Sequence, residues 1–455
     1  MSSPGAAALA RQSRRTPSGR LDADFLAAVD GSLAAADRRL AASYPGDAGT
    51  RQPVHTVYVP ADRADAGTAR SWGDEALRVL DAVAADAPAA AAVTGLGDAL
   101  DSDVYDRVRA KLAAQPVEDL RIDFEDGYGS RPDADEDAAA IAAAAGLARL
   151  LGAAGGPSYA GIRFKSLEPA TRRRGLRTLD LLLDALVEAG RVPDGFLVTL
   201  PKVTSVDQVR VMVEVCERLE QAYGLDPGRL RFEIQVEMPQ AIVGADGVAT
   251  VAGMVHAAGA RCVGLHYGTY DYSAACGVAA AYQSLEHPVA DHAKAVMQVA
   301  TAGTGVRLSD GSTNVLPTGS PQQVADALRL HAHLVRRALE RGYYQGWDMH
   351  PGHLVSRYLA TYAFYRQGLA AAAARLRNYL SRTYLPPAAG GVMDEPATAQ
   401  ALASFLTRGV HCGALDRAEV ASASGVRDTV LAALAARREP PAPPRSDAPN
   451  EQEDR

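Results

Sequence analysis

RFEIQVEMPQ, residues 231–240, is the stretch on which the fold turns. Phe232, Ile234, Val236 and Met238 alternate with Arg231, Glu233, Gln235 and Glu237, a period of two that belongs to a β-strand with one apolar and one polar face. The segment lies mid-chain in an Ala- and Val-rich protein, where a water-facing strand is out of place. A closed barrel resolves the conflict: the polar face points inward toward the mouth, and Phe232, Ile234 and Val236 pack against surrounding helices. On this reading Glu233 sits deeper and meets Arg163 or another inner polar group, while Glu237 stands at the C-terminal end of the strand.

Working outward, further β-like runs occur at 54–59 (VHTVYV), 119–124 (DLRIDF), 160–165 (AGIRFK), 196–200 (FLVTL), 262–267 (CVGLHY), 313–317 (TNVLP) and 346–350 (GWDMH). Helical stretches separate them, such as 171–189 with Leu176, Leu179, Leu182, Leu183 and Leu186 at helical spacing. Strand–helix alternation of this kind implies parallel strands joined by crossover helices, and eight such units predict a (β/α)8 TIM barrel over 54–354. The connections 64–118 and 268–312 are long enough for extra helices. Residues 21–53 read as a leading helix and 355–437 as a helical C-terminal extension. The first twenty residues read as a disordered arm and 438–455 as a disordered, proline-rich tail.

Bulk properties narrow the function. The 455-residue chain carries 47 basic and 54 acidic residues, a net charge of -7 with no basic stripe, which points away from nucleic acid and anionic membranes and toward small-molecule partners. No apolar run is long enough to span a bilayer. Four scattered cysteines without a C-x-x-C pair fit a reducing cytoplasm.

Chemistry collects at the predicted strand ends. Asp123-Phe124-Glu125-Asp126 ends the second strand, Arg163 and Lys165 lie on the third, Leu200-Pro201-Lys202 closes the fourth, and Glu237 the fifth. Gly268-Thr269-Tyr270-Asp271 follows the sixth, and Met349-His350-Pro351-Gly352-His353 the eighth. A barrel gathers all of these around one mouth. Glu237 and Asp271 lie 34 positions apart, one βα unit, so neighbouring strands bring two hard oxygen ligands together for Mg2+ or Mn2+. Read singly, each acid is equally a solvated strand end or a helix cap. Arg163 offers a planar fork for a substrate carboxylate, or else a buried ion pair with Glu125 or Asp126. His350 and Pro351 read as loop residues lining the mouth; a zinc site at H-x-x-H is opposed by the intervening Pro351-Gly352.

The order of these motifs resembles the superfamily of citrate lyase beta subunits, malyl-CoA lyases and metal-dependent 2-oxo acid aldolases. VYVPADR at 57–63 is similar to that family's "FVPG" strand, IDFEDGYG to "LDLEDAV", and GIRFKSL to "RVN". LPKVTS at 200–205, VEMPQAI, GTYDYSAACG and MHPGHL continue the series. The segment GGVMDEPATAQALASFL at 390–406 is similar to a C-terminal stretch that supplies an acid to the site, in some members to a neighbouring subunit. The resemblance implies Glu237 and Asp271 as magnesium ligands, Arg163 as the clamp on substrate oxygen, and Asp394 as general acid/base. Glu125 and Asp126 would orient waters around metal and clamp, with Lys202, His350 and Pro351 near the substrate. It further implies trimers or hexamers, and brings CoA thioesters within the substrate class, although no basic cluster for a CoA diphosphate stands out.

The activity expected is a Mg2+-dependent carbon–carbon lyase or aldolase acting on a 2-oxo or hydroxy acid. A Schiff-base aldolase using Lys202 or Lys165 is the enzymatic alternative. A barrel that binds an acid or partner without turnover, as a regulatory or scaffolding subunit, is the other.

Overall fold

A computed structural model describes residues 20–382 and 396–436. Asp394, the tail 438–455, and all of the 1–20 arm except Arg20 lie outside the described residues. The chain divides into two units, residues 1–45 and 46–455. The first contains one helix, Ala23–Ser43, whose N-cap Asp22 accepts the amide proton of Phe25 at 2.8 Å.

The second unit is a (β/α)8 barrel with helical additions. Its strands are β1 (His55–Pro60), β2 (Asp119–Asp123), β3 (Tyr159–Arg163), β4 (Phe196–Leu200), β5 (Phe232–Val236), β6 (Cys262–Tyr267), β7 (Arg307–Ser309) and β8 (Gly346–Asp348). They pair in parallel in the order β7-β6-β5-β4-β3-β2-β1-β8. Gln345 closes the ring: it forms a parallel bridge with Ser309, and its carbonyl accepts the Asp310 amide at 2.8 Å. The long connection after β1 carries three helices, Thr68–Val83, Ala87–Thr94 and Ser102–Ala114.

Side chains of one parity on the longer strands point to the helices and are buried. Phe232, Ile234 and Val236 are all fully shielded, as are Leu120, Ile122 and Leu265 on neighbouring strands. Leu179, Leu182, Leu183 and Leu186 of the helix Arg172–Glu188 meet them in the same core. Burying side chains of this size stabilises by about 1.5–3 kcal/mol each.

The other parity fills the barrel with charge. Arg121, fully buried, hydrogen-bonds Glu233 at 2.6 Å and Thr199 at 3.1 Å and pairs closely with Asp119. His266 approaches Glu233 at 3.1 Å, and Thr56 donates to Asp119 at 2.8 Å. Glu233 is therefore paired with Arg121 and His266, not with Arg163. Burial works against its charge, but Arg121 and the contact with His266 hold it below the usual carboxylate range.

The seventh strand differs from the sequence reading. Residues 313–317 form no strand, and β6 pairs instead with 307–309 through Gly264↔Arg307, Leu265↔Leu308 and His266↔Ser309. Val315 and Leu316 are 43% and 39% exposed, so the β-branched and apolar character of TNVLP belongs to a mouth loop. A three-residue strand has too little length to display a period.

Candidate active site

The C-terminal strand ends enclose a cleft of about 440 Å³. Tyr58, Asp123, Arg163, Glu237, Asp271 and Trp347 are among its walls, with Arg63 and Met349 at the rim. Its size suits a small organic acid.

Arg163, at the end of β3, is 3% exposed and held from three sides. Its Nε and Nη2 donate to the two carboxylate oxygens of Asp123, each at 2.7 Å, and Nη1 donates to Gln235 at 3.3 Å. Tyr58 and Trp347 lie over the guanidinium, their centroids 4.9 and 5.2 Å away. Three of the five guanidinium donors are thus committed, and Nη1 also faces Glu125 at 3.6 Å. The principal ion-pair partner is Asp123, and Glu125 is secondary. Asp123 also accepts the amides of Glu125 and Gly127 at 3.0 and 2.9 Å, so one carboxylate both positions the arginine and shapes the loop after β2.

Lys202 follows β4 with φ of 51°, the only non-glycine residue with positive φ among the described residues. An L-residue in this region costs about 1–2 kcal/mol, so its surroundings must hold it there. They do so twice: the Lys202 amide donates to Glu237 at 2.8 Å, and its Nζ meets Glu125 at 2.5 Å, Asp126 at 2.8 Å and Asp271 at 3.3 Å. Although burial opposes its charge, these carboxylates push the ammonium well above the ordinary lysine value. A neutral amine for Schiff-base chemistry is correspondingly suppressed.

Glu237, just beyond β5, is 3% exposed and forms no ion pair with a described side chain closer than 4.0 Å. Burial pushes its carboxyl up to about 8, with Arg163 and Lys202 opposing the rise and Glu125 and Asp271 adding to it. Gly268 cradles it: a Cβ there would lie 2.4 Å from the Glu237 Cβ and 2.8 Å from Oε2. Asp271, in the first turn of Thr269–Ala275, shares the cleft wall and is more open to solvent. Burial likewise raises Glu125; it would raise Asp126 too, but hydrogen bonds from Lys202 bring Asp126 below the usual range. A buried carboxylate short of positive partners, beside a second, wetter one, fits a hard divalent cation that keeps several waters.

The other sequence candidates are placed as follows. Met349 rather than His350 or Pro351 lines the cleft; His350 Nδ1 accepts the Gly352 amide at 3.0 Å, at the start of the helix Pro351–Arg382. Lys165 is turned away to Glu136 at 2.7 Å and the carbonyl of Phe124 at 2.7 Å. Tyr58 and Trp347 are not singled out by the sequence, and Asp123 is named there only as a strand end without a role, although Asp119, Arg121 and Asp123 alternate on one face of β2 and signal the inward parity.

Among the described residues, one trio of potential metal ligands has its donor atoms within 4.8 Å of one another, His331, Asp348 and His353, and it lies outside the cleft. Asp348 is already paired with Arg357 at 2.7 Å and His331 at 3.1 Å, and the His353 nitrogens face the Met349 amide at 3.4 Å and the Val315 carbonyl at 3.1 Å. The cluster is a buried hydrogen-bonded lock between β8 and its helices.

The family model for DUF6986, a domain of unknown function, matches residues 33–439. The chain belongs to this family. No curated protein matches the DUF6986 chain by sequence. Among solved structures, a citrate lyase from Burkholderia xenovorans LB400 is similar at TM-score 0.55 and 19% identity, covering 84% of this chain and 99% of that one. The fold is thus that of the citrate lyase-type barrels, as the motif order implies. Haloferax volcanii malate synthase in a lead(II) complex gives TM-score 0.46 and 15% identity over 75% of this chain and 76% of that one. The citrate lyase beta subunit of Mycobacterium tuberculosis, complexed with oxaloacetate and magnesium, gives 0.39 and 19% over 69% and 98%.

Proposed function

We propose that this DUF6986 protein is a divalent-cation-dependent carbon–carbon lyase or aldolase acting on a small 2-oxo or hydroxy acid, free or as a CoA thioester. The observation that carries the reading is Glu237: a buried carboxylate at the barrel mouth, pushed up to about 8 and sharing its cleft with Asp271 and Arg163. Glu237 and Asp271 would hold Mg2+ or Mn2+. A bound ion of this kind supplies Lewis-acid stabilisation for the charge that develops on a 2-oxo acid when the neighbouring carbon–carbon bond forms or breaks.

The chain's own residues then have separate tasks. Arg163, fixed by Asp123 and by the Tyr58 and Trp347 rings, keeps donors for a substrate carboxylate at a preset angle, so little reorganisation is needed on binding. Lys202 and Asp126 hold Glu125 in place beside the guanidinium. The sequence resemblance assigns proton transfer to Asp394. The fold match at TM-score 0.55 to a protein named as a citrate lyase is consistent with this class.

The test is a screen of cleavage and condensation with pyruvate, glyoxylate, oxaloacetate and acetyl-CoA, with and without Mg2+. Turnover that EDTA abolishes and Mg2+ restores is expected. Magnesium-dependent turnover that survives in folded Glu237→Gln would sink the proposal.

A further inference from the structure

We propose that Lys202 is a tethered cation that competes with the divalent ion for the mouth carboxylates, setting how much ion is needed before the site loads. The inference rests on the metal reading of Glu237 and Asp271 given above. Its own basis is the position of one side chain. Lys202 contacts both candidate ligands at once, Glu237 through its amide at 2.8 Å and Asp271 through Nζ at 3.3 Å. The same Nζ is anchored on Glu125 at 2.5 Å and Asp126 at 2.8 Å. The ends of β2, β5 and β6 therefore converge on a residue delivered by β4.

An ion that engages Asp271 must draw it from the ammonium and then sits beside a positive charge. Lys202 has little room to withdraw: its φ of 51° is maintained by the hydrogen bond from its amide to Glu237, and the side chain is four-fifths shielded. Glu125 and Asp126 act as its holders. Attraction to the two carboxylates and repulsion from the lysine both scale with the ion's charge, so Lys202 weakens a divalent ion's net attraction to the pair without abolishing it. Lys202 is thus a positioning residue that sets the affinity for the ion.

The experiment titrates Mn2+ into the full-length protein at pH 8, followed by electron paramagnetic resonance and by calorimetry. Lys202→Met removes the charge at similar length and should bind Mn2+ about tenfold more tightly, the size expected for deleting one nearby charge in a partly solvated site. Lys202→Arg keeps the charge and should bind no more tightly than wild type. Lys202→Gln, which retains a donor for Asp126, serves if Lys202→Met fails to fold, with the same tightening expected. Unchanged or weaker Mn2+ binding in a folded, uncharged variant overturns the proposal while leaving the metal reading intact. If wild type binds Mn2+ no better than Glu237→Gln does, the metal reading itself fails and this inference falls with it.

Discussion

Glu237→Gln separates the stability of the barrel from its proposed capacity to hold an ion. Burial lifts the Glu237 carboxyl from the ordinary 4.5 to about 8. Between those values the native state keeps a proton that the unfolded chain has released, so stability falls as pH rises through this window, and the penalty is complete above about 8. The interval is equivalent to about 5 kcal/mol as a ceiling, which relaxation of the site reduces to about 2–5 kcal/mol. Glutamine has no charge to desolvate and retains an oxygen for the Lys202 amide. In EDTA at pH 8.5 the variant should therefore unfold at higher urea than wild type by an amount worth about 2–5 kcal/mol, and at pH 5.5 by only about 1 kcal/mol. Added Mg2+ should then raise the midpoint of wild type and leave the variant where it was. A variant no more stable than wild type at pH 8.5, or one stabilised by Mg2+ to the wild-type extent, would refute the reasoning.

Gly268→Ala places a methyl 2.4 Å from the Glu237 Cβ, so it should weaken the Mg2+-induced rise in melting temperature while far-UV circular dichroism stays native. Arg163→Lys loses the fork on Asp123 and should cut turnover by about a hundredfold or more in the substrate assay, with Mn2+ affinity little changed. Asp348→Asn leaves Arg357 buried without its counter-charge and should cost about 3–5 kcal/mol in urea unfolding, yet leave the Mg2+ dependence of activity unchanged, because that cluster is a lock and not a metal centre.

The barrel was legible wherever a strand was long enough to show its two faces. In β5 the alternation of Phe232, Ile234 and Val236 with polar residues identified both the strand and the direction of its polar face. β7 defeated this because Arg307–Ser309 offers three residues and no period, and its place is set by the register of β6 and by Gln345 across the closure. The β-branched run at 313–317 drew the assignment because side-chain type was the only signal there; hydrogen bonding went to a segment six residues earlier.

The candidate site was legible as a set of strand ends and not as a set of partners. Three acids within four residues, Asp123, Glu125 and Asp126, offer no sequence signal for which one takes Arg163. Parity favours Asp123, the last residue of β2, because the chain leaves the pleat immediately after it. Lys202 as the hub depends on a left-handed backbone at a lysine, which residue type argues against.

Glu233 and Glu237 show how far the difference lies in partners and not in residue type. They are the same residue on one side of one strand, four positions apart. Glu233 meets Arg121 and His266 and is kept ionised in a closed, fully paired layer. One layer higher, Gln235 stands beside Arg163, which is paired with Asp123. Glu237 comes next, with a backbone amide in place of a side-chain cation. Below the mouth each of these buried carboxylates meets a side-chain cation of the protein, Asp119 and Glu233 on Arg121 and Asp123 on Arg163, and Glu237 is the first to lack one, which is why the proposed external cation is placed there.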